Sequence, residues 1–122
     1  MNKTNKPKFN IFKNIKYSIE GGITVLKSEK SFKTQLIAIS IVGIVLLFVD
    51  ISTTSKMTLF FSTWLILVAE AFNSAIERVV DLVTQEHHQL AKEAKDIGSF
   101  GVLLAFFVVI SIWVTILYLE FI

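Results

Sequence analysis

Residues 97–119 most constrain what this chain can fold into, because they contain no charged side chain. As an α-helix this run would be about 34 Å long, enough to cross the hydrocarbon core of a bilayer. Two shorter uncharged runs precede it, at 34–49 and 57–69. With 53% hydrophobic and only 18% charged residues, the composition is too apolar for an ordinary soluble domain of this size. The sequence therefore predicts an all-α membrane protein with one domain, residues 1–122.

Four helices are expected along the chain. The apolar side chains between Phe9 and Leu26 recur at three- and four-residue spacing with lysines between them, which is typical of a basic amphipathic helix on a membrane surface. The glycine pair at 21–22 is the point where this helix is expected to bend or break. The expected elements are a solvated arm at 1–8, the surface helix at about 9–27, transmembrane helices at about 30–49, 57–84 and 97–119, and an ordered polar loop or short helix at 84–96.

The distribution of lysines predicts the orientation in the membrane. Eight lysines precede the uncharged run 34–49, whereas Lys56 is alone in the first loop. By the positive-inside rule, the N-terminus and the 84–96 loop face the cytoplasm. The net charge of +2 does not indicate nucleic-acid binding, and the absence of cysteine excludes disulfides and thiolate metal sites.

A polar stripe descends the second predicted transmembrane helix. At about 100° per residue, its members share one face: Glu70, Asn73, Ser74, Glu77 and Asp81. A carboxylate inside a bilayer costs several kcal/mol, so Glu70 and Glu77 require a charged or hydrogen-bonding counterpart. Intramembrane carboxylates indicate a functional site.

Three functions are compatible with this stripe. Polar side chains can simply hold membrane helices together, usually through neutral residues. A small proton-coupled transporter would also need an embedded carboxylate, but it would not need further charged groups gathered at the cytoplasmic face. The third function is phosphoryl transfer from a nucleotide to a lipid.

The third function gives each polar residue a task. Glu29 and Glu77 are oxygen ligands of the kind that Mg²⁺ prefers. Lys95 can hold phosphate oxygens as a point charge, and Glu70 can act as general base on a lipid hydroxyl, with Asn73 orienting either partner. The chain contains no GxxxxGK[ST] and no GxGxxG motif, which argues against a P-loop enzyme and a protein-kinase fold.

Several motifs of this sequence resemble the signature of the bacterial integral-membrane diacylglycerol kinases. They are 28–32 (SEKSF), 70–81 (EAFNSAIERVVD), 86–88 (EHH) and 94–99 (AKDIGS). The resemblance extends over essentially the whole chain, and the core E-x-x-N-[ST]-A-[IV]-E with A-K-D is highly specific. It implies a homotrimer in the bacterial inner membrane, which uses MgATP to phosphorylate diacylglycerol to phosphatidic acid. Because three spans and one surface helix can hardly enclose a lipid headgroup, a metal and a nucleotide, we expect the sites to be shared between protomers.

The resemblance also implies roles for individual residues. Glu70 matches the catalytic base, Glu29 and Glu77 match the metal ligands, and Asn73 and Ser99 match polar residues of the site, Ser99 on the side of the lipid substrate. The residues that match the surroundings of the ATP nucleotide, in addition to the two metal ligands, are Tyr17, Glu86, His87, His88, Lys95 and Asp96.

This sequence departs from the family pattern in the surface helix. Asn10 stands where the family often carries an arginine that contacts the lipid, and Ile19 stands where it carries a tryptophan. A sister branch of the family phosphorylates undecaprenol, and the Asn73–Ser74 pair favours diacylglycerol because Asn-Thr is frequent in that branch. Arg78 and Lys92 are expected to be solvated or bound to lipid headgroups.

Overall fold

The computed structural model describes residues 7–122, and these residues are folded into α-helices with no strands. Of the predicted arm at 1–8, residues 1–6 lie outside this range. The helices, in chain order, are α1 (Ile11–Ser28), α2 (Lys30–Phe48), α3 (Thr53–Ser62), α4 (Trp64–Val83) and α5 (Gln89–Phe121). In the described part of the chain, three stretches are long and apolar enough to cross a membrane: α2, α3 together with α4, and α5. An all-α protein with three candidate membrane-spanning helices is therefore confirmed.

Helix α1 begins after Asn10, whose side-chain Oδ1 accepts hydrogen bonds from the backbone N–H groups of Phe12 (3.0 Å) and Lys13 (3.3 Å). An asparagine at this position satisfies donors that the first helical turn leaves free. The helix continues without interruption through Gly21 and Gly22, so the glycine pair does not break it. None of its residues is buried against the rest of the chain. The position of α1 on the membrane surface stays a prediction.

The second membrane segment is divided, although the sequence predicts one continuous helix over 57–84. Helix α3 ends at Ser62 and α4 begins at Trp64, with Thr63 between them. The hydroxyl groups of Ser62 and Thr63 donate to the backbone carbonyls of Leu59 and Phe60, at 2.7 and 2.5 Å. Backbone bonds around Thr63 connect residues three apart, which tightens the chain locally. Side-chain hydroxyls that bond to preceding carbonyls commonly distort helices in this way.

Helix α5 begins earlier than the apolar run that predicts it. The polar residues 89–96 form its first turns, and only 84–88 separate α4 from α5. The imidazole Nδ1 of His88 accepts a hydrogen bond from the backbone N–H of Leu90 at 3.1 Å and so caps the helix. At 33 residues, α5 is longer than a bilayer core needs, so its first turns extend beyond the uncharged segment 97–119.

Helix α4 packs most extensively against α5, and α2 lies against α3 and α4. The buried apolar core is small, consisting of Ile39, Leu46, Leu59, Ile66 and Val109. Most large apolar side chains point outward, as expected where lipid replaces water as the solvent.

At one end of the bundle, side-chain hydrogen bonds join the start of α3 to the end of α5. The Glu120 carboxylate accepts hydrogen bonds from Ser52 (2.9 Å) and Ser55 (2.5 Å). Ser52 is also the N-cap of α3, so the carboxylate lies at a helix N-terminus, where the helix dipole favours a negative charge.

Candidate functional site

The buried carboxylate of the polar stripe belongs to Glu70 on α4. This residue is only 8% exposed. The hydroxyl of Ser31, in the first turn of α2, donates to its Oε2 atom at 3.4 Å. Ser74, one turn further along α4, is also buried. Among residues 7–122, the counterpart that the sequence required for Glu70 is therefore a neutral hydroxyl rather than a cation. Ser31 was not among the predicted site residues, although it lies in the SEKSF motif.

Asn73 and Glu77 form the next layer of the stripe. The amide Nδ2 of Asn73 donates to Glu77 Oε1 at 3.3 Å. The Oδ1 atom of Asn73 is buried and has no hydrogen-bond partner among residues 7–122. It faces Gly98 of α5, where any side chain would collide with it. A glycine at this position lets α5 approach closely enough to enclose the amide.

Glu29 lies at the junction between α1 and α2, where it is the single non-helical residue. Arg78 of α4 reaches this junction and donates to Ser28 Oγ at 2.5 Å and to Glu29 Oε1 at 3.4 Å. Arg78, expected to be solvated or bound to lipid headgroups, is half exposed and also forms an ion pair with a candidate metal ligand, which the sequence did not predict. No sequence periodicity links the two residues, because Glu29 lies between α1 and α2 and Arg78 lies on α4.

An open groove of about 390 Å³ lies between the end of α4, the 84–88 segment and the start of α5. Five of the predicted nucleotide residues line it together with Asp81 and Lys92: Glu86, His87, His88, Lys95 and Asp96. Lys95 Nζ lies 2.7 Å from Asp81 Oδ1, which the site prediction omitted although Asp81 belongs to the polar stripe. The hydrogen bond to Asp81 raises the pKa of Lys95, which lies in the polar turns outside 97–119. Lys92, expected to be solvated or headgroup-bound, is exposed and also pairs with Asp96 at 2.6 Å, whose side chain is exposed as well.

Three predicted site residues lie apart from these clusters. Tyr17 is 61% exposed on α1, and Ser99 is exposed on α5. The side-chain oxygen of Asn10 is engaged in capping α1. Within one chain, the structure does not bring these three residues into hydrogen-bonding contact with Glu70, Glu77 or Lys95.

Glu29 and Glu77 remain the residues that suit a metal ion. In the described part of the chain, no three His, Asp or Glu side chains converge on one point. Mg²⁺ is nevertheless commonly held by one or two carboxylates, with water and phosphate oxygens completing its shell. The two hard-oxygen carboxylates, Glu29 and Glu77, therefore have the donor chemistry that a magnesium–nucleotide complex requires.

Known proteins of similar sequence are lipid kinases. A sequence model of the family described as prokaryotic diacylglycerol kinase matches residues 16–117. The diacylglycerol kinase of Escherichia coli K12 is 32% identical over 111 residues, covering 91% of each chain. That of Pseudomonas aeruginosa is 37% identical over 102 residues, covering 83% of this chain and 82% of the relative. The undecaprenol kinase of Bacillus subtilis is 33% identical over 91 residues, covering 75% and 74%.

These similarities extend over the helices that carry the stripe, the α1–α2 junction and the groove. Together with three apolar helices of membrane-spanning length, they identify a bacterial membrane protein and support a lipid kinase. The chain belongs to the prokaryotic diacylglycerol kinase family.

Proposed function

We propose that this protein transfers the γ-phosphoryl group of ATP to diacylglycerol, giving phosphatidic acid at the cytoplasmic surface of the inner membrane. The observation that carries the proposal is the buried Glu70 on a helix face that also presents Asn73 and Glu77, in a chain whose family match covers 16–117. A structural role alone would be served by neutral polar side chains. Burial of a carboxylate that has no cationic partner among residues 7–122 favours a chemical role.

Glu70 is the general base of the proposed reaction. It accepts the proton of the lipid hydroxyl while the oxygen attacks the γ-phosphorus, and the bond to the leaving ADP oxygen breaks. Ser31 holds the carboxylate through its hydroxyl group. Asn73 orients the reacting groups from the next turn of the same helix. Ser99 and Asn10 contribute polar contacts to the lipid.

Glu29 and Glu77 would hold Mg²⁺, which when bound neutralises charge on the phosphates. The groove between α4 and α5 is the proposed site of the rest of the nucleotide, with Tyr17 supplied from α1. Lys95 offers its ammonium group to phosphate oxygens, and the nearby Asp81 keeps it in the groove. The remaining groove residues assigned to the nucleotide are Glu86, His87, His88 and Asp96.

We further propose a homotrimer whose sites are shared between protomers, with α1 on the cytoplasmic membrane surface. Three membrane segments and one peripheral helix offer little material to enclose a lipid headgroup and a nucleotide. The exposed positions of Tyr17 and Ser99 support this arrangement, because they are available to a neighbouring protomer.

The second candidate substrate is undecaprenol, favoured by the similarity to the Bacillus subtilis undecaprenol kinase. Purified protein assayed with labelled ATP and Mg²⁺ in mixed micelles of either lipid separates the two. Label in diacylglycerol supports the first proposal, and label in undecaprenol alone replaces it with the second. Label in neither lipid would favour the proton-coupled transporter or a purely structural role.

Replacing Glu29 or Glu77 with glutamine is expected to weaken Mg²⁺-dependent nucleotide binding, because each change removes one charged oxygen from a metal with few protein ligands. Titration of Mg²⁺ at fixed ATP should show a higher half-saturating concentration for both variants. Glu20→Gln on α1 is the matched control, since the Glu20 carboxylate lies at the exposed surface, where it pairs with Lys16. If saturating Mg²⁺ and ATP leave both site variants with the same defect as Glu70→Gln, the division of roles is wrong.

Gly98→Ala is expected to lower turnover by roughly 10- to 100-fold, because the added Cβ atom would collide with Asn73 Oδ1 and displace the amide from Glu77. Gly101→Ala, one turn later on α5, is the matched control because, apart from its chain neighbours and the backbone of its own helix, no atom of residues 7–122 lies within 4 Å of the new Cβ. Turnover numbers of both variants are compared after their oligomeric states are checked. Equal turnover in the two variants would show that the contact with Asn73 does not matter.

A further inference from the structure

Arg78 forms the ion pair that links the α1–α2 junction to α4. One of its terminal nitrogens contacts both Ser28 Oγ and Glu29 Oε1, at 2.5 and 3.4 Å. Two of the other ion pairs are each confined to one helix and join residues four apart: Lys16–Glu20 and Lys92–Asp96. The Arg78 pair instead connects α4 to the α1–α2 junction, two parts of the chain that are far apart in sequence.

Glu29 has few other restraints. Its backbone is extended (φ −109°, ψ 108°), and it occupies the N-cap position of α2, yet its side chain makes no capping hydrogen bond. A glutamate here is free to turn away from α4 unless another group holds it. Within residues 7–122, Arg78 is the group that contacts its carboxylate.

Arg78 follows Glu77 directly on α4, so the contact with Glu29 brings the α1–α2 junction next to the helix that carries the second carboxylate. A single guanidinium group thereby restricts how far apart Glu29 and Glu77 can lie. This restriction matters for a metal site, since a weakly restrained ligand must lose conformational freedom when the ion binds.

Stability alone does not account for this pair. The Arg78 side chain is 50% exposed and that of Glu29 is 24% exposed. Ion pairs so accessible to water contribute little to the stability of a fold. The position of the pair, next to the proposed metal ligands, points instead to organisation of the site.

We propose that Arg78 is a positioning residue that holds Glu29 in place for the metal–nucleotide complex. The proposal rests on the proposed function, because it takes Glu29 as a metal ligand. Arg78 acts through Glu29 and the junction, and it takes no proton and forms no bond to the reacting phosphorus. Its loss should therefore affect metal affinity more than the rate of phosphoryl transfer at saturation.

The test uses Arg78→Ala and Arg78→Lys in the full-length membrane protein. We expect Arg78→Ala to raise the half-saturating Mg²⁺ concentration by about three- to tenfold, with kcat changed by less than about twofold. Arg78→Lys keeps the positive charge but loses the planar guanidinium group with its several N–H donors. The increase in half-saturating Mg²⁺ concentration should therefore be smaller than for Arg78→Ala. A second readout is independent of turnover: binding of Mn²⁺ in the presence of a non-hydrolysable ATP analogue, followed by electron paramagnetic resonance. Lys16→Ala is the control, because it removes the cation of an exposed pair within α1.

A double-mutant cycle separates positioning from a general effect on the fold. In the Glu29→Gln background, Arg78→Ala should cause little further loss of Mn²⁺ affinity, because the ligand that it positions is already impaired. Full, independent losses in the double variant would overturn the proposal. Unchanged or tighter Mn²⁺ binding by Arg78→Ala alone would also overturn it. If Arg78→Ala does not fold, Arg78→Gln takes its place in the cycle with the same two criteria.

The same measurements distinguish this proposal from the function on which it rests. If the wild-type protein phosphorylates neither lipid, or if Glu29→Gln binds Mn²⁺ as the wild type does, the proposed function fails in its substrate or its metal ligand. If both behave as expected and only the Arg78 variants match the wild type, the positioning role alone is refuted.

Discussion

Replacing Glu70 with glutamine is expected to lower turnover by about 10²- to 10⁴-fold while leaving nucleotide binding near normal. The amide keeps the size of the side chain and an oxygen that can accept the hydrogen bond from Ser31, but it cannot take a proton from the lipid hydroxyl. Losses of this size are typical when a general base is removed. The measurement is kcat with saturating lipid and MgATP, together with the dissociation constant of a fluorescent nucleotide analogue.

Glu20→Gln is the control for this experiment, since it removes a carboxylate from the exposed surface of α1 without touching α4. Thermal unfolding of both variants shows whether the fold is retained. Turnover of Glu70→Gln within a few fold of wild type would exclude Glu70 as the base. A parallel loss of nucleotide binding would assign it to the nucleotide instead.

The membrane architecture could be predicted because it follows from long runs of residues without charge, which are visible in the sequence. Runs without charge at 34–49 and 97–119 can satisfy their backbone groups in lipid only as helices, which fixes the helical class. The break at Thr63 could not be predicted from hydropathy. It depends on two hydroxyl groups bonding to the preceding turn, and these residues are as compatible with a continuous membrane helix as with a distorted one.

The start of α5 shows a different limit of sequence reasoning. Residues 89–96 are polar, and polarity between two apolar runs indicates a loop. The same residues include Leu90, Ala91, Lys92, Glu93 and Ala94, which are good helix formers. Once His88 caps the first turn, extending the helix toward Gly98 needs no new nucleation. Local propensity therefore selected the helix from the two predicted alternatives, an ordered loop or a short helix, and this helix is continuous with the membrane segment.

The candidate site also has a part that the sequence predicts and a part that depends on tertiary packing. The order of Glu70, Asn73 and Glu77 on one helix face follows from periodicity, and the structure brings Asn73 to Glu77 as neighbours. The contact between Arg78 and Glu29 joins positions 49 residues apart, for which one sequence carries no signal. The orphaned oxygen of Asn73 likewise depends on how closely α5 approaches through Gly98. The sequence motifs thus identified candidate site residues, whereas their side-chain contacts depend on tertiary packing.

The division of one site between two protomers is open to a complementation test. Lys95 pairs with Asp81 and its side chain is 44% exposed, whereas Asp96 pairs with Lys92 on the same helix and its side chain is 62% exposed. Asp96 is thus the more accessible of the two to a neighbouring protomer. If a site combines Glu70 from one chain with Asp96 from the next, Glu70→Gln and Asp96→Asn damage different halves of it.

Mixing these two inactive variants under conditions of subunit exchange is expected to restore activity to about a quarter of the wild-type level. In a symmetric trimer formed from equal amounts, each half of a site is intact with a probability of about one half, and both halves with about one quarter. The control mixes Glu70→Gln with Glu77→Gln, because both changes lie on α4 and damage the same half, so no activity should return. Exchange is verified by co-purification through two different affinity tags. Verified exchange without recovered phosphorylation would confine each site to one chain, and the oligomer would then support the fold rather than complete the site.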